Sequence, residues 1–417
     1  MDVHVYIWGT KVGTLRYNEE TRTSSFQYDL NFIKMGIQLS PIIMPLSTST
    51  FQFNDRIKTN YGLPPLLRDS LPDTYGNDVI NLYLSNLNRE ENSLTPAERL
   101  CYEGKRGMGA LEFKPDTSSI SRDVKIDLNE LVSISSNVYE NREKLSTNDI
   151  VKLFNVSTSA GGQRSKAVVQ YNFKTKEFKS GQIDKYFNDF DYFIIKFDDF
   201  KNDAFYTRIE YAYYLMARDC GIDIMDSYLL KEDEKYHFLT KRFDRVKTDN
   251  KVIKIHTQTL MSLCQLDYDI PGEIGYEYVF GILKRLGIHN KNEQWFRRAV
   301  FNVITKNMDD HCKNTSFVMN RNGQWDLSNA YDLTYSYNPN GHYTYAHQMT
   351  INKKNDNILL EDILELAKEG NIKENKAIEI IKEIENVVSN FKKYAEKSDL
   401  PESEINKIQS EFVLLTK

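Results

Sequence analysis

The prevailing hydrophobic period of this chain shifts near residue 245. Before that point apolar and polar residues tend to alternate: VHVYIWG, VGTLRY and SSFQYDL within residues 3–30, AVVQYNF at 167–173, YFIIKF at 192–197, SYLL at 227–230 and HFLTKRF at 237–243. A period of two sends successive side chains to opposite faces and predicts strands. Beyond it, QTLMSLCQL, GYEYVFGILKRL and NEQWFRRAVFNVITKNM repeat their apolar residues every three or four positions, as helices with one buried face do. A long amphipathic helix follows near the end, its stripe being Ala377, Ile380, Ile381, Ile384, Val387, Val388 and Phe391. Strands gathered first and helices later predict an α+β protein of two lobes, with a β-rich beginning and a mostly helical end.

Helical signals also punctuate the first half. Val79, Ile80, Leu82 and Leu84 suit a buried helix, and Thr95-Pro96-Ala97-Glu98 reads as a capping box with proline at the first helical position, opening a helix that stops at Gly104. Another helix is predicted from Tyr206 to Cys220, closed by Gly221. Residues 114–150 are polar and serine-rich and read as linking segments with one short helix around IDLNELVSISSNV. The expected division is 1–115, 116–245 and 246–417, since 417 residues exceed one small core. Cys101, Cys220, Cys264 and Cys312 are scattered, which argues against a disulfide framework or a zinc site and for a reducing compartment. The N-terminus has no signal-peptide pattern and there is no apolar run of about 18 residues, so a cytoplasmic protein without membrane contact is expected. A net charge of −5 offers no general attraction to nucleic acid, so DNA contact would need a local patch or a partner.

The chemistry concentrates in FNVITKNMDDHCKNTSFV, residues 301–318, and NAYDL, 329–333. Asp309 and Asn314 stand five apart with Asp332 downstream, the order and spacing of the catalytic base and two metal ligands in phosphoryl-transfer enzymes of the protein-kinase type. Oxygen ligands of this kind suit Mg²⁺ far better than zinc. Rival readings are a transition-metal site on Asp309, Asp310 and His311, a His311–carboxylate acid–base pair, and a structural turn. Lys196 lies among apolar residues of a strand, where an unpaired ammonium would be costly, so it wants an anion. Nucleotide phosphates and Glu210 on the next helix would serve; the bland alternative is an edge-strand lysine reaching water. Ser157 to Gln163, with Gly161 and Gly162, form either a phosphate-binding nest or an ordinary turn, and match neither a Walker A loop nor GxGxxG. In FLTKRFDR, 238–245, Asp244 could reach a ribose or close a salt-bridged turn with Arg242 and Arg245.

With these motifs the chain resembles, over its full length, the HipA family, the kinase toxins of bacterial type II toxin–antitoxin modules. GLPPLLRDSLPD and KRGMGALEF resemble that family's N-terminal subdomain, STSAGGQRSK its glycine-rich loop, and FDR, NMDDHCKN and AYDL its hinge, catalytic and metal motifs. The resemblance implies a two-lobed protein-kinase-like fold and an Mg-ATP-dependent serine/threonine protein kinase. Asp309 would be the base, Asn314 and Asp332 would hold Mg²⁺, and Ala160, Gly161, Gly162, Gln163, Lys196, Arg242, Phe243, Asp244, His311, Lys313, Asn314, Tyr331 and Asp332 would line the ATP site. Ser157 or Ser159 would be autophosphorylated. It further implies a HipB-type helix-turn-helix antitoxin, operator DNA bound mainly through that partner, and a protein substrate such as an aminoacyl-tRNA synthetase. The competing expectation is a weakly active scaffold that binds the antitoxin and aids repression; the intact set Lys196, Asp309, Asn314 and Asp332 argues against it.

Overall fold

In the computed structural model, the described residues are 1–117, 125–140, 145–157, 162, 164–198 and 205–416. Two antiparallel sheets dominate the first half. The five-stranded sheet is built from Phe51–Phe53, Thr23–Tyr28, Thr10–Asn18, Asp2–Ile7 and Leu111–Lys114, in that spatial order. The six-stranded sheet runs Ser227–Glu232, Lys235–Lys241, Asp191–Lys196, Lys166–Asn172, Glu177–Ser180 and Lys125–Ile126. Strand Lys166–Asn172 is buried along its whole length because the strands beside it and helices beneath it cover both faces.

Helices form where their ends are specified. Thr95 and Glu98 make the predicted capping box, and the helix Pro96–Glu103 ends at Gly104 in a backbone of φ +56°. Thr74–Asn86 buries Val79, Ile80, Leu82 and Leu84, and Tyr206–Asp219 packs on the six-stranded sheet and the helical lobe.

Three expectations are corrected. The helical region begins at Leu260 rather than 245, because Arg245–Thr248 and Lys251–Lys254 close a hairpin over Asp249 and Asn250, both at positive φ, and His256–Thr259 joins Ser316–Met319 and Trp325–Leu327 in a third sheet. The stretch 114–150 holds its expected helix at Leu128–Glu140 and also the start of a second, unexpected one, Thr147–Ser157, opened by mutual hydrogen bonds between Ser146 and Asp149. The amphipathic stripe near the end breaks at Ser389–Asn390 into Glu374–Val388 and Phe391–Lys397, which lets Phe391 turn toward Tyr213.

The helical lobe, the six-stranded sheet with its helices, and the five-stranded sheet each surround an apolar cluster. The last cluster takes in Met319 from the third sheet, so the N-terminal module and the C-terminal lobe share a core.

Candidate active site

Four segments converge where the six-stranded sheet meets the helical lobe. Lys196 ends its strand and turns its ammonium onto Glu210 of the following helix at 2.6 Å and onto Asp332. Their side chains are 16 %, 7 % and 41 % exposed, so Asp332 forms the wet rim of a largely buried cluster. Burial opposes every charge here. For Lys196 the neighbouring carboxylates outweigh it and hold the ammonium well above its usual range; for Asp332 the two lysines outweigh it and hold the carboxyl down to about 2. Glu210, the deepest of the three, is raised by burial despite Lys196.

Asp332 stands at φ +53°, a left-handed conformation that aspartate tolerates better than most side chains. Two residues before it, Ala330 is fastened to the segment after helix Tyr206–Asp219 by a bridge to Ile224 and a bond from its amide to the Asp223 carbonyl. That fastening brings AYDL to Lys196.

The segment Asp309–Asn314 is held by its backbone. The Asn314 side-chain amide donates to the Asp309 carbonyl at 2.8 Å, and the Asp309 amide donates to Ser336 Oγ at 2.9 Å. The Asp309 carboxylate is 47 % exposed, with His311 Nε2 3.6 Å away, beyond a hydrogen bond. Its neighbour is the reverse: Asp310 is buried and accepts from Tyr276 Oη at 2.7 Å and the Gln348 amide at 2.7 Å, with His347 Nδ1 at 2.9 Å. Asp310 is thus consumed by structure, which removes it from the transition-metal reading. Among the described residues there is no group of three histidine, cysteine, aspartate or glutamate side chains arranged for a metal. The Asn314 nitrogen is spent on the Asp309 carbonyl, which leaves its side-chain oxygen, like the Asp332 carboxylate, chemically able to accept a hard cation.

Of the glycine-rich loop, Gly162 lies within the described residues; Ser159, Ala160, Gly161 and Gln163 lie outside them. Gly162 has φ +100°, a backbone conformation that favours glycine; a Cβ there would meet only the movable Lys166 Nζ, so conformation and not space selects the residue. Lys166 is a site residue that the sequence reading missed. It faces Lys196 across paired strands, and burial together with that second ammonium lowers it to about 8. Its signal was a second lysine one strand register from the first. Ser157 is the last residue of helix Thr147–Ser157, fully buried, with Oγ lacking a hydrogen-bond partner.

At the strand end the salt-bridged turn prevails. Arg242 grips Asp244 with two bonds of 2.8 and 2.7 Å, Arg245 adds one of 2.8 Å and the Gly109 amide another of 2.7 Å. The side chains of Arg242 and Asp244 are 0–1 % exposed and spent on each other. Burial works against the Asp244 charge, but Arg242 and Arg245 dominate and hold it far below the usual carboxylate range. Phe243 points elsewhere, its ring 5.9 Å from that of Tyr331, whose hydroxyl donates to the Lys313 carbonyl at 2.8 Å. The Lys313 ammonium pairs with Asp73, from the GLPPLLRDSLPD motif.

A family model described as the HipA-like C-terminal domain matches residues 158–391, and one described as the HipA N-terminal domain matches 3–114. The chain belongs to the HipA family. HipA of the Shewanella oneidensis MR-1 toxin–antitoxin system, solved with HipB and its operator DNA, superposes with a TM-score of 0.69 at 15 % identity, covering 98 % of this chain and 95 % of that one. This HipA-family chain therefore has the expected two-lobed α+β fold, with a β-rich N-terminal subdomain and a helical C-terminal lobe. The Helicobacter pylori proinflammatory kinase CtkA aligns with a TM-score of 0.34 at 12 % identity, over 54 % of this chain and 89 % of that one, too slight a likeness to argue from. No curated protein matches the sequence significantly. Among the described residues no helix is long and apolar enough to cross a membrane.

Proposed function

We propose that this HipA-family chain is an Mg-ATP-dependent serine/threonine protein kinase and the toxin of a toxin–antitoxin pair. The observation that carries the reading is the Lys196–Glu210–Asp332 cluster: a lysine paired with a helix glutamate beside a carboxylate at the cleft rim is the ion-pair arrangement phosphoryl transfer requires. The donor set fits the group it would hold, since Asn314 and Asp332 offer oxygens and Gly162 turns at φ +100° with Lys166 Nζ directly against it. Asn314 and Asp332 would hold Mg²⁺, whose charge would offset that developing on the phosphates. Lys196, kept charged and oriented by Glu210, would position the phosphates, with Lys166 beneath the glycine turn adding a second cation. Asp309, half exposed on a backbone fixed by Ser336 and Asn314, would orient the acceptor hydroxyl and take its proton. Phe243 and Tyr331 would flank the nucleoside.

The family membership supports a helix-turn-helix antitoxin of HipB type, with operator DNA contacted mainly through it, and a protein substrate for which an aminoacyl-tRNA synthetase is the leading candidate. For autophosphorylation we assign Ser159, because the buried Ser157 hydroxyl would have to leave the core before a phosphate could reach it. The test compares wild type with Asp309→Asn. With Mg-ATP the wild type should phosphorylate its glycine-rich loop, detected by mass spectrometry, and slow growth when expressed without an antitoxin; Asp309→Asn should bind nucleotide but do neither. Equal phosphorylation by the two proteins would remove Asp309 as the base, and no phosphorylation by either would favour a scaffold.

A further inference from the structure

Asp73 occupies the N-cap of helix Thr74–Asn86, where an aspartate ordinarily accepts from the helix's own first amides. It makes no such bond. One carboxylate oxygen accepts instead from the Gly162 amide at 2.6 Å, and the other pairs with the Lys313 ammonium and stands 3.8 Å from Arg68 Nη2. Forgoing a cap costs about 1 kcal/mol, so the carboxylate is placed where its other contacts outweigh that loss. It is 8 % exposed.

The surroundings are specialised in the same direction. Arg68, 2 % exposed, gives Nε to the Thr59 carbonyl, stacks over the Tyr61 ring at 5.0 Å and leaves Nη1 without a hydrogen-bond partner. Lys313 is confined from another side by the Tyr268 ring, 5.2 Å from Nζ. Close by, Asp69 accepts from both the amide and the hydroxyl of Thr259 at 2.7 and 2.8 Å, which locks the motif onto the start of the helical lobe. A carboxylate that only docked the module would not need to reach the glycine turn and the catalytic segment together, since Asp69 already supplies the docking contact.

We infer that Asp73 is a positioning residue of the phosphate site: the N-terminal module sets, through one carboxylate, the spacing between the Gly162 turn and Lys313. This rests on the kinase reading above. The module is then part of the catalytic machinery and not an appended domain. Asp73 need not touch the phosphates; it acts by fixing two groups that do.

A double-mutant cycle tests this on the full chain, using Asp73→Asn, Lys313→Met and the pair, with Mg-ATP phosphotransfer kinetics, the affinity of a fluorescent ATP analogue, and thermal melting. Asp73→Asn keeps the shape and, assayed well below its melting transition, should lower kcat/KM by about tenfold or more. Because Asp73 acts in part through Lys313 and in part through the Gly162 turn, the pair should lose less than the product of the two single losses. Losses that multiply in the pair, or Asp73→Asn kinetics equal to wild type, overturn the inference. A wild type that binds the analogue but transfers no phosphate sinks the kinase reading instead, and the cycle is then read in the affinities, where independent losses again count against Asp73.

Discussion

Asp309 and Asp310 are adjacent and chemically identical, yet the fold gives them opposite work. The carboxylate of Asp309 is left half exposed, so on the proposed kinase reading its removal would cost chemistry and little stability. Asp310 is buried under Tyr276, His347 and the Gln348 amide, tying the catalytic segment to the return of the chain after Asp332. Each buried donor left without a partner costs about 1–3 kcal/mol. Asp310→Ala should therefore lower the urea midpoint clearly, whereas Asp309→Ala should leave the unfolding free energy within about 0.5 kcal/mol of wild type and the midpoint nearly unmoved. Similar midpoints for the two variants would show that the assigned burial is not what holds the segment. Sequence spacing picked out Asp309, Asn314, Asp332, Lys196 and Glu210, because each obeys a local rule of period or motif. It passed over Asp73, whose contact with Lys313 spans 240 residues, and it left open whether Asp244 reaches a ribose or closes a salt-bridged turn, because a hinge motif does not tell which way its side chains turn.

Among the elements, those with strong end signals were legible and those without were not. The Thr95–Glu98 box and the Tyr206–Asp219 helix agree with their sequence patterns, while the Asp249–Asn250 hairpin was lost in the approach to a helical region and the Ser146–Asp149 cap lay inside a polar stretch. Two strands carry a pH dependence. His256, on His256–Thr259, is fully buried with both ring nitrogens unpartnered, and His237, on Lys235–Lys241, accepts from the Asp198 amide at Nδ1. Burial lowers each to about 4. The native state thus refuses protons that the unfolded chain takes up below about pH 6.5, so stability is complete above that value and falls as pH drops toward 4. Each histidine accounts for at most roughly 3 kcal/mol of the change. Between pH 6.5 and 5 the lowered carboxylates Asp332 and Asp73 are ionised in both states and add nothing, while Glu210, raised by burial, works in the opposite sense. Urea midpoints should fall from pH 7 to pH 5, and His237→Gln/His256→Gln should flatten that fall. An unchanged slope in the double variant would assign the acid sensitivity to other groups.

At the scale of the whole molecule, the N-terminal module is continuous with the rest. Its Trp8 indole donates to the Lys254 carbonyl at 2.8 Å, and Trp325 returns a bond to the Gln38 carbonyl at 3.2 Å. Arg245 reaches the Gly107 and Gly109 carbonyls at 3.1 and 2.8 Å, while Met319 sits fully buried in the module's own apolar cluster. Removing residues 1–115 would uncover that methionine, leave the Arg242–Asp244–Arg245 turn without its backbone partners from Gly107 and Gly109, and free Lys313 from Asp73. A buried charge network stripped of part of its partners is costlier than one never built. The full chain should consequently melt in one transition, and residues 116–417 expressed alone should lack a cooperative melt and expose apolar surface to a hydrophobic dye. Supplying residues 1–115 as a separate chain during refolding should restore the transition, since the contacts are noncovalent and complementary. If the fragment 116–417 melts cooperatively by itself and transfers phosphate at the wild-type rate, the shared core is dispensable and the module's place in the active site falls with it.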